Sequence, residues 1–165
     1  MSESAESLMW EALPNFSESE FNHTRLDCID ENLIVELQNF RDDLASPVIP
    51  SPNSDAWARF DSSKTSRHYA VDRLCDAGDV FVSCSPLKAL YTALNSEFGG
   101  IGLYLDTQYK NKPMLMLHLD CRSVSDRAIW IRETVKGKQV YTTYKNGMNE
   151  LNLKSIIKKL AESVL

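Results

Sequence analysis

The sequence contains no long run of apolar residues. A helix that crosses a bilayer needs roughly 20 consecutive apolar residues, and no segment of this 165-residue chain approaches that length. The opening segment, MSESAESLMWEALPNF, also lacks the basic start and the apolar stretch of a secretory signal. We therefore expect no membrane span, synthesis in the cytoplasm and no export route of the protein's own.

Basic residues are few in any one part of the chain. The 18 Lys and Arg are outnumbered by 23 Asp and Glu, so the net charge is −5 and the pI is near 5.2. Nucleic-acid binding needs Lys and Arg clustered on one face. The small group of Lys154, Lys158 and Lys159 is typical of a solvated helix face. We therefore do not expect nucleic acid as a partner.

Cysteine pairs of the CxxC type are also missing. Cys28, Cys75, Cys84 and Cys121 are widely spaced, which argues against a disulfide framework and against a zinc site built from cysteine alone. We expect free and mostly buried thiols. The length of the chain suits one domain with a hydrophobic core.

Hydrophobic periodicity predicts an α+β fold in which helices pack on a small antiparallel sheet. Leu33, Ile34, Leu37, Phe40 and Leu44 recur at helical spacing and predict a helix over residues 30–44. Further helices are predicted over 86–97 and 151–164, and strands over 80–82, 101–105, 114–121, 128–134 and 139–144.

The remaining segments complete the predicted organisation. Residues 1–15 are expected to form an N-terminal arm that docks through Trp10, residues 16–145 the main domain, and residues 146–165 a C-terminal helix. The polar stretch 51–65 is predicted as a loop anchored by Trp57 and Phe60, and turns are predicted over 106–113 and 146–147.

The three histidines, His23, His68 and His118, are the residues that most suggest a chemical function. Of these, His23 is interpreted as a surface or packing residue. Residues two apart in a strand share a face, so His118 and Asp120 point the same way within MLMLHLDCR. Burying them unpaired would be costly. Either they form a hydrogen-bonded pair, or they belong to a metal site such as a zinc centre.

The segment around His68 offers acids as well. It reads TSRHYAVDRLCDAGDVFV and contains Asp72, Asp76 and Asp79. Each of these carboxylates is either a metal ligand or part of a solvated loop, and the residues alone leave both interpretations open.

Several separated segments resemble, in order, the motifs of the zinc D-alanyl-D-alanine carboxypeptidase family, in its small periplasmic and phage-borne branch. They are NFSESEF, LQNFRDDL, SRHY followed by AGDVF, FGGIGLYLDT and LHLDCR, and Trp130 falls where that branch often carries a Trp. The resemblance extends from about Phe16 to Trp130. It implies the Hedgehog/DD-peptidase fold and a peptidase that acts on bacterial peptidoglycan.

The resemblance implies that His68, Asp79 and His118 bind Zn²⁺. His68 and Asp79 are eleven residues apart, which is farther than the family's usual pattern. Asp79 is preferred because small residues precede it and the apolar run VFV follows it. Asp76 is the alternative ligand.

The resemblance also implies residues for substrate binding and catalysis. Arg59 corresponds to the family's substrate-binding arginine, although SPNSDAWARF matches that turn poorly, and Ser66 neighbours the first ligand. Many members carry a general-base carboxylate three residues before the last histidine, where this chain has Leu115. Asp120 is the remaining candidate, either as that base or as a partner that orients His118.

The implied function is zinc-dependent cleavage of the peptidoglycan stem peptide, at a D-Ala-D-Ala or an L-Ala-D-Glu bond. Because no export signal is seen, we expect a phage-encoded hydrolase that a phage delivers to the cell wall. The alternative is a phage virion protein of the same fold, catalytically weak or inactive. It would contact other virion proteins through its N-terminal arm and C-terminal helix. A metal-free binding module is the third interpretation.

Overall fold

Three complete α-helices and four short 3-10 helices lie in the described chain. The computed structural model describes residues 10–21, 24–144 and 149–163. The α-helices that lie wholly within these ranges are α1 (Glu31–Leu44), α2 (Pro86–Leu94) and α3 (Glu150–Glu162), and short 3-10 helices cover Glu18–Phe21, Leu26–Cys28, Ser54–Ala56 and Val124–Asp126. None of the helices in this part of the chain has the length and apolar character needed to cross a membrane.

A six-stranded sheet forms the centre of the domain, and a two-stranded hairpin is separate from it. The strands are β1 (Val48–Pro50), β2 (Ala77–Val82), β3 (Gly100–Tyr104), β4 (Gln108–Tyr109), β5 (Lys112–Pro113), β6 (Leu115–Asp120), β7 (Ala128–Val135) and β8 (Lys138–Tyr144). The large sheet has the order β1-β2-β6-β3-β7-β8, and only β3 and β7 run parallel. The predicted α+β class is confirmed.

The first helix shows how local sequence sets an element. The Asp30 carboxylate accepts the Asn32 N–H at 3.0 Å and caps the helix. Leu33 and Leu37 are fully buried. Ala45 ends the helix in a left-handed conformation, with φ of 48°. The predicted helix over residues 30–44 is therefore confirmed, with Asp30 as its cap.

The sheet has two different faces because successive side chains of a strand alternate. One face belongs to the hydrophobic core, which it forms together with the helices through Val80, Leu103, Leu117, Ile131, Leu37, Leu90 and Ile156. The opposite face, called the open face below, carries polar and aromatic side chains. Its central row of paired residues contains Asp79, His118, Gly102, Trp130 and Thr143.

Several predicted boundaries change in the structure. Strand β2 starts at Ala77 rather than residue 80, because residues 77–79 pair with residues 118–120 of β6. Helix α2 ends at Leu94 rather than residue 97, where the Asn95 side chain donates to the Tyr91 carbonyl at 2.8 Å. Residues 106–113, predicted as a turn, contain the β4–β5 hairpin, whose Lys110 and Asn111 both have positive φ.

The loop anchors and cysteines agree with expectation only in part. Trp57 is fully buried as predicted, whereas Phe60 is 46% exposed, so its predicted anchoring role is wrong. The ring of Phe60 lies at the surface, 5.5 Å from the Arg25 guanidinium. All four cysteines are free, but only Cys75 is buried and the other three are half-buried.

The N-terminal segment contacts the core where it is described. Leu13 and Phe16 are buried, and the Trp10 ring lies 5.5 Å from the Phe21 ring. His23 and the predicted turn at residues 146–147 lie outside the described residues.

The close contact between Gly78 and Trp57 gives a test of the fold. A Cβ at position 78 would lie 2.3 Å from the Trp57 ring. We expect Gly78→Ala to lower the free energy of unfolding by about 1–3 kcal/mol, as overpacked cores do. Urea denaturation measures this change. The loss should shrink in a Trp57→Phe background, and equal losses in both backgrounds would contradict the contact as its cause.

Candidate metal centre

Three side chains converge on the open face. Asp79 of β2 and His118 of β6 are directly paired across the strands, so their side chains stand side by side. His68 reaches them from the loop between β1 and β2. The exposed fractions are 4% for His68 and 6% for each of the other two. The structure therefore brings together the three residues that the sequence analysis named as ligands.

The potential ligand atoms form a small triangle. His68 Nε2 is 3.0 Å from His118 Nδ1, and His118 Nδ1 is 3.0 Å from Asp79 Oδ1. The third side, from His68 Nε2 to Asp79 Oδ1, is 3.5 Å. In a tetrahedral zinc site with bonds of roughly 2.0–2.1 Å, neighbouring ligand atoms lie about 3.3–3.4 Å apart. The group can therefore hold a metal ion.

Hydrogen bonds on the outer side of each imidazole select its tautomer. His68 Nδ1 lies 3.1 Å from the Trp57 carbonyl oxygen, so it is the nitrogen that donates. His118 Nε2 lies 3.0 Å from Asp120 Oδ2 and donates to that carboxylate. If both rings are neutral, His68 Nε2 and His118 Nδ1 then carry lone pairs that point at each other and at Asp79. Three acceptors at this separation need a cation between them, either a proton or a metal ion.

The electrostatics of the buried cluster follow from this arrangement. Burial alone would lower the pKa of His118, but its bonds with Asp120 and Asp79 raise that pKa to about 9. Burial lowers the pKa of His68, and Asp79 only partly opposes the shift. Burial would raise the pKa of Asp79, yet its contacts with His118 and His68 hold that pKa well below its usual range. The cluster thus favours one positive charge next to Asp79.

The loop that carries His68 is tied down by its backbone. Arg59 donates its N–H to the His68 carbonyl at 2.7 Å, and Ala70 donates to the Arg59 carbonyl at 2.9 Å. Trp57 is buried and donates its indole N–H to the Ser51 carbonyl at 3.1 Å. These bonds hold the loop over β2 and keep the His68 ring in place although it lies outside regular structure.

Asp120 supports His118 from the side away from Asp79. It is fully buried and receives two bonds from the Arg122 guanidinium, both at 2.7 Å, and one from the Arg122 N–H at 3.1 Å. A Cβ at Gly100 would collide with the Asp120 carboxylate. Both carboxylate oxygens of Asp120 are engaged, which favours the orienting role over the general-base role.

Trp130 forms a wall of the centre. Its ring centroid lies 5.0 Å from that of His118. Gly102 stands between the two residues in the sheet, and a Cβ there would lie 2.5 Å from the indole. The absence of a side chain at position 102 therefore lets the indole lie next to His118 and the other candidate ligands.

The residues predicted for substrate binding lie close to the cluster. The Arg59 guanidinium is 3.9 Å from Asp79 Oδ2, and about a third of its side chain is exposed. Ser66 does not contact the ligand atoms; its hydroxyl accepts the His68 N–H at 3.3 Å. Arg59 thus faces the centre directly, whereas Ser66 holds the backbone of the first ligand.

The alternative acids lie elsewhere. Asp76 pairs with Arg67, and Asp72 is exposed and pairs with Lys64 at 3.0 Å. Leu115 points into the hydrophobic core and is 1% exposed. Of the three acids near His68 in the sequence, Asp79 is the one grouped with both histidines.

Two contributors to the centre were not assigned from the sequence. The role of Arg122 was not predicted. Its position, two residues after Asp120, continues the alternation that places His118 and Asp120 on one face. The Trp57 carbonyl had no signal in the sequence, because any residue at that position offers the same oxygen.

No protein-family model matches the chain, and comparison with curated proteins and with solved structures yields no significant match. What the centre can do is therefore inferred from its own atoms.

Replacing Asp79 tests the ligand set. We expect the parent protein to bind one divalent metal ion per chain and Asp79→Asn to lose it, because the variant removes the only carboxylate in the cluster of described residues. Elemental analysis and competition with a chromophoric chelator measure the loss. Asp76→Asn is the matched control and should keep the ion. Loss in Asp76→Asn with retention in Asp79→Asn would reverse the assignment.

Protons released on metal binding test the electrostatics. A metal ligand must be deprotonated, and His118, with its pKa near 9, carries a proton at pH 7 in the metal-free protein. Binding at pH 7 should therefore release about one proton per ion from His118, and this contribution should fall towards zero as the pH rises through 9. Calorimetry in buffers of different ionisation enthalpy measures it. No release at pH 7 would contradict a protonated His118.

Proposed function

We propose that this protein is a zinc-dependent peptidase that cleaves the stem peptide of peptidoglycan. We further propose that its domain has the Hedgehog/DD-peptidase fold of the zinc D-alanyl-D-alanine carboxypeptidase family. The observation that carries the proposal is the convergence of His68, Asp79 and His118 within 3.0–3.5 Å of one another. These residues come from the three segments, SRHY, AGDVF and LHLDCR, that resemble the family's metal motifs.

The donor set supports zinc over other ions. Two imidazole nitrogens and one carboxylate oxygen suit Zn²⁺, and three protein ligands are typical of catalytic rather than structural zinc sites. A zinc ion supplies a Lewis acid for a carbonyl and lowers the pKa of water towards about 7. His68 and His118 would hold it through Nε2 and Nδ1, the nitrogens left free by their outer hydrogen bonds.

Arg59 supports a substrate with a carboxylate near the cleaved bond. Its guanidinium is partly exposed and lies next to Asp79, and it donates to the Asp55 carbonyl, which fixes its direction. Arg binds carboxylates through two parallel hydrogen bonds. A stem peptide that ends in D-Ala-D-Ala has a free terminal carboxylate. A D-Glu residue that is linked through its side chain keeps a free main-chain carboxylate. Arg59 therefore suits either of the two candidate bonds.

The remaining open role is that of the general base. Asp120 is buried, with both oxygens bound to His118 or Arg122. To accept a proton from a water it would have to give up one of those bonds. In our proposal Asp120 mainly orients His118 and stabilises its ligand tautomer, as partners of metal-bound histidines do.

The second candidate function is that of a phage virion protein with weak or no catalysis. The observation in its favour is that Leu115 is buried in the core at the position where many family members carry the base. Among the described residues, the metal cluster has no carboxylate besides Asp79. A metal-bearing scaffold would need the same ligands but no base.

Digestion of purified peptidoglycan distinguishes the two functions. We expect the zinc-loaded protein to release new amino groups, with the cleaved bond identified by mass spectrometry of the products. Asp79→Asn should release none, because it cannot hold the ion. A parent protein that binds zinc and leaves peptidoglycan intact would refute the peptidase and favour the virion protein.

Asp76→Asn serves as the matched control in the digestion as well. It removes a carboxylate that pairs with Arg67 outside the cluster, so it should keep most of the activity. If it abolished cleavage while still binding zinc, Asp76 rather than Asp120 would become the candidate base.

A further inference from the structure

The open face continues beyond the metal cluster as a row of aromatic and cationic side chains. Tyr104 of β3, Arg132 of β7 and Tyr141 of β8 are paired in register, one strand after another. They stand next to the row that contains His118 and Trp130, two residues further along each strand. Paired residues share a face, so the two rows form one continuous surface.

The side chains of this row pack against one another. The Arg132 guanidinium lies 4.3 Å from the centre of the Tyr104 ring. The rings of Tyr104 and Tyr141 are 6.4 Å apart and nearly perpendicular. Tyr141 is 55% exposed, whereas Tyr104 and Arg132 are half-buried beside it. Tyr104 and Arg132 thus support the ring of Tyr141, which faces solvent.

The charge of the row is balanced. Arg132 Nε donates to Asp106 at 2.8 Å, and the Thr134 hydroxyl donates to the other oxygen of that carboxylate at 2.8 Å. Thr143, exposed on β8, stands opposite Trp130 in the sheet. The surface therefore offers a stacking ring with hydroxyl and guanidinium groups around it and no unpaired carboxylate among these residues.

We propose that this surface, formed by Tyr104, Trp130, Arg132, Tyr141 and Thr143, binds a sugar ring of the glycan strand that carries the stem peptide. A pyranose has an apolar C–H face and a rim of hydroxyl groups. The apolar face suits the exposed ring of Tyr141, and the rim suits Thr143 and the Arg132 guanidinium. The choice of sugar rests on the proposed function, since peptidoglycan supplies both peptide and glycan.

The two ends of the open face give the substrate a direction. Arg59 lies beside Asp79, on the β2 side of the cluster. Tyr141 lies on β8, at the far edge of the sheet. A stem peptide whose carboxylate binds Arg59 would cross the cluster and extend towards the aromatic surface. The opposite end of the stem peptide is the end that is joined to the glycan. The aromatic surface therefore lies on the side of the cluster where the sugar would bind.

The test is binding of peptide-free glycan fragments of alternating N-acetylglucosamine and N-acetylmuramic acid. Saturation-transfer NMR measures their affinity for the parent, for Tyr141→Ala and for Tyr91→Ala. Tyr91 is the matched control because it is 70% exposed on α2, across the sheet. We expect Tyr141→Ala to bind at least tenfold more weakly than the parent and Tyr91→Ala to bind like the parent.

Two results would overturn the proposal. One is a parent protein that does not bind the glycan fragments. The other is equal affinity in the two tyrosine variants. Binding of the free stem peptide at Tyr141 with no response to glycan would assign the surface to peptide instead and would also overturn the sugar assignment.

Repeating the titration with Asp79→Asn separates this inference from the proposed function. This variant removes a candidate metal ligand but none of the five residues of the proposed sugar surface, so its glycan affinity should match that of the parent. Glycan binding without any cleavage by the parent would refute the peptidase and retain the sugar site. Cleavage of isolated stem peptides without glycan binding would support the peptidase and refute the sugar site.

Discussion

The antiparallel pairing of β2 with β6 places Asp79 directly opposite His118 in the middle of the sheet. This register is the constraint on which the candidate metal centre depends. A slip of β2 by one residue would turn Asp79 into the hydrophobic core and bring Val80 to the open face, opposite His118. The core residues of β2 oppose such a slip, because each would lose its buried environment. The same packing that stabilises the fold therefore aligns two of the three ligands.

The third ligand reaches the site by a different route. His68 lies in a loop, and its position depends on the buried Trp57, on the backbone bonds that link residues 59, 68 and 70, and on the bond from His68 Nδ1 to the Trp57 carbonyl. Gly78 makes room for the Trp57 ring against β2. The loop is thus positioned by one large side chain that packs in the hydrophobic core, against the face of β2 opposite to Asp79.

Burying so many polar groups is stable only because each of them has a partner. Asp120 is completely enclosed and is bound by both His118 and Arg122. Asp79 lies 3.0 Å from His118 Nδ1, which carries a proton or a metal ion between them. Removing one member would leave its partner unpaired in a low-dielectric site, which is costly. The network therefore holds the imidazole rings in the orientation that a bound metal ion would need.

Local sequence determined the α+β class, the helix over residues 30–44 and the strands around His118, because periodicity and capping act between near neighbours. Alternation along one strand also placed His118 and Asp120 on one face. Tertiary structure alone decided that Asp79, rather than Asp76 or Asp72, joins both histidines, since that depends on strand register and on a loop closing over the sheet. It also decided the partners of Arg122 and the exposure of Phe60. These features depend on contacts between residues far apart in the chain, which periodicity does not encode.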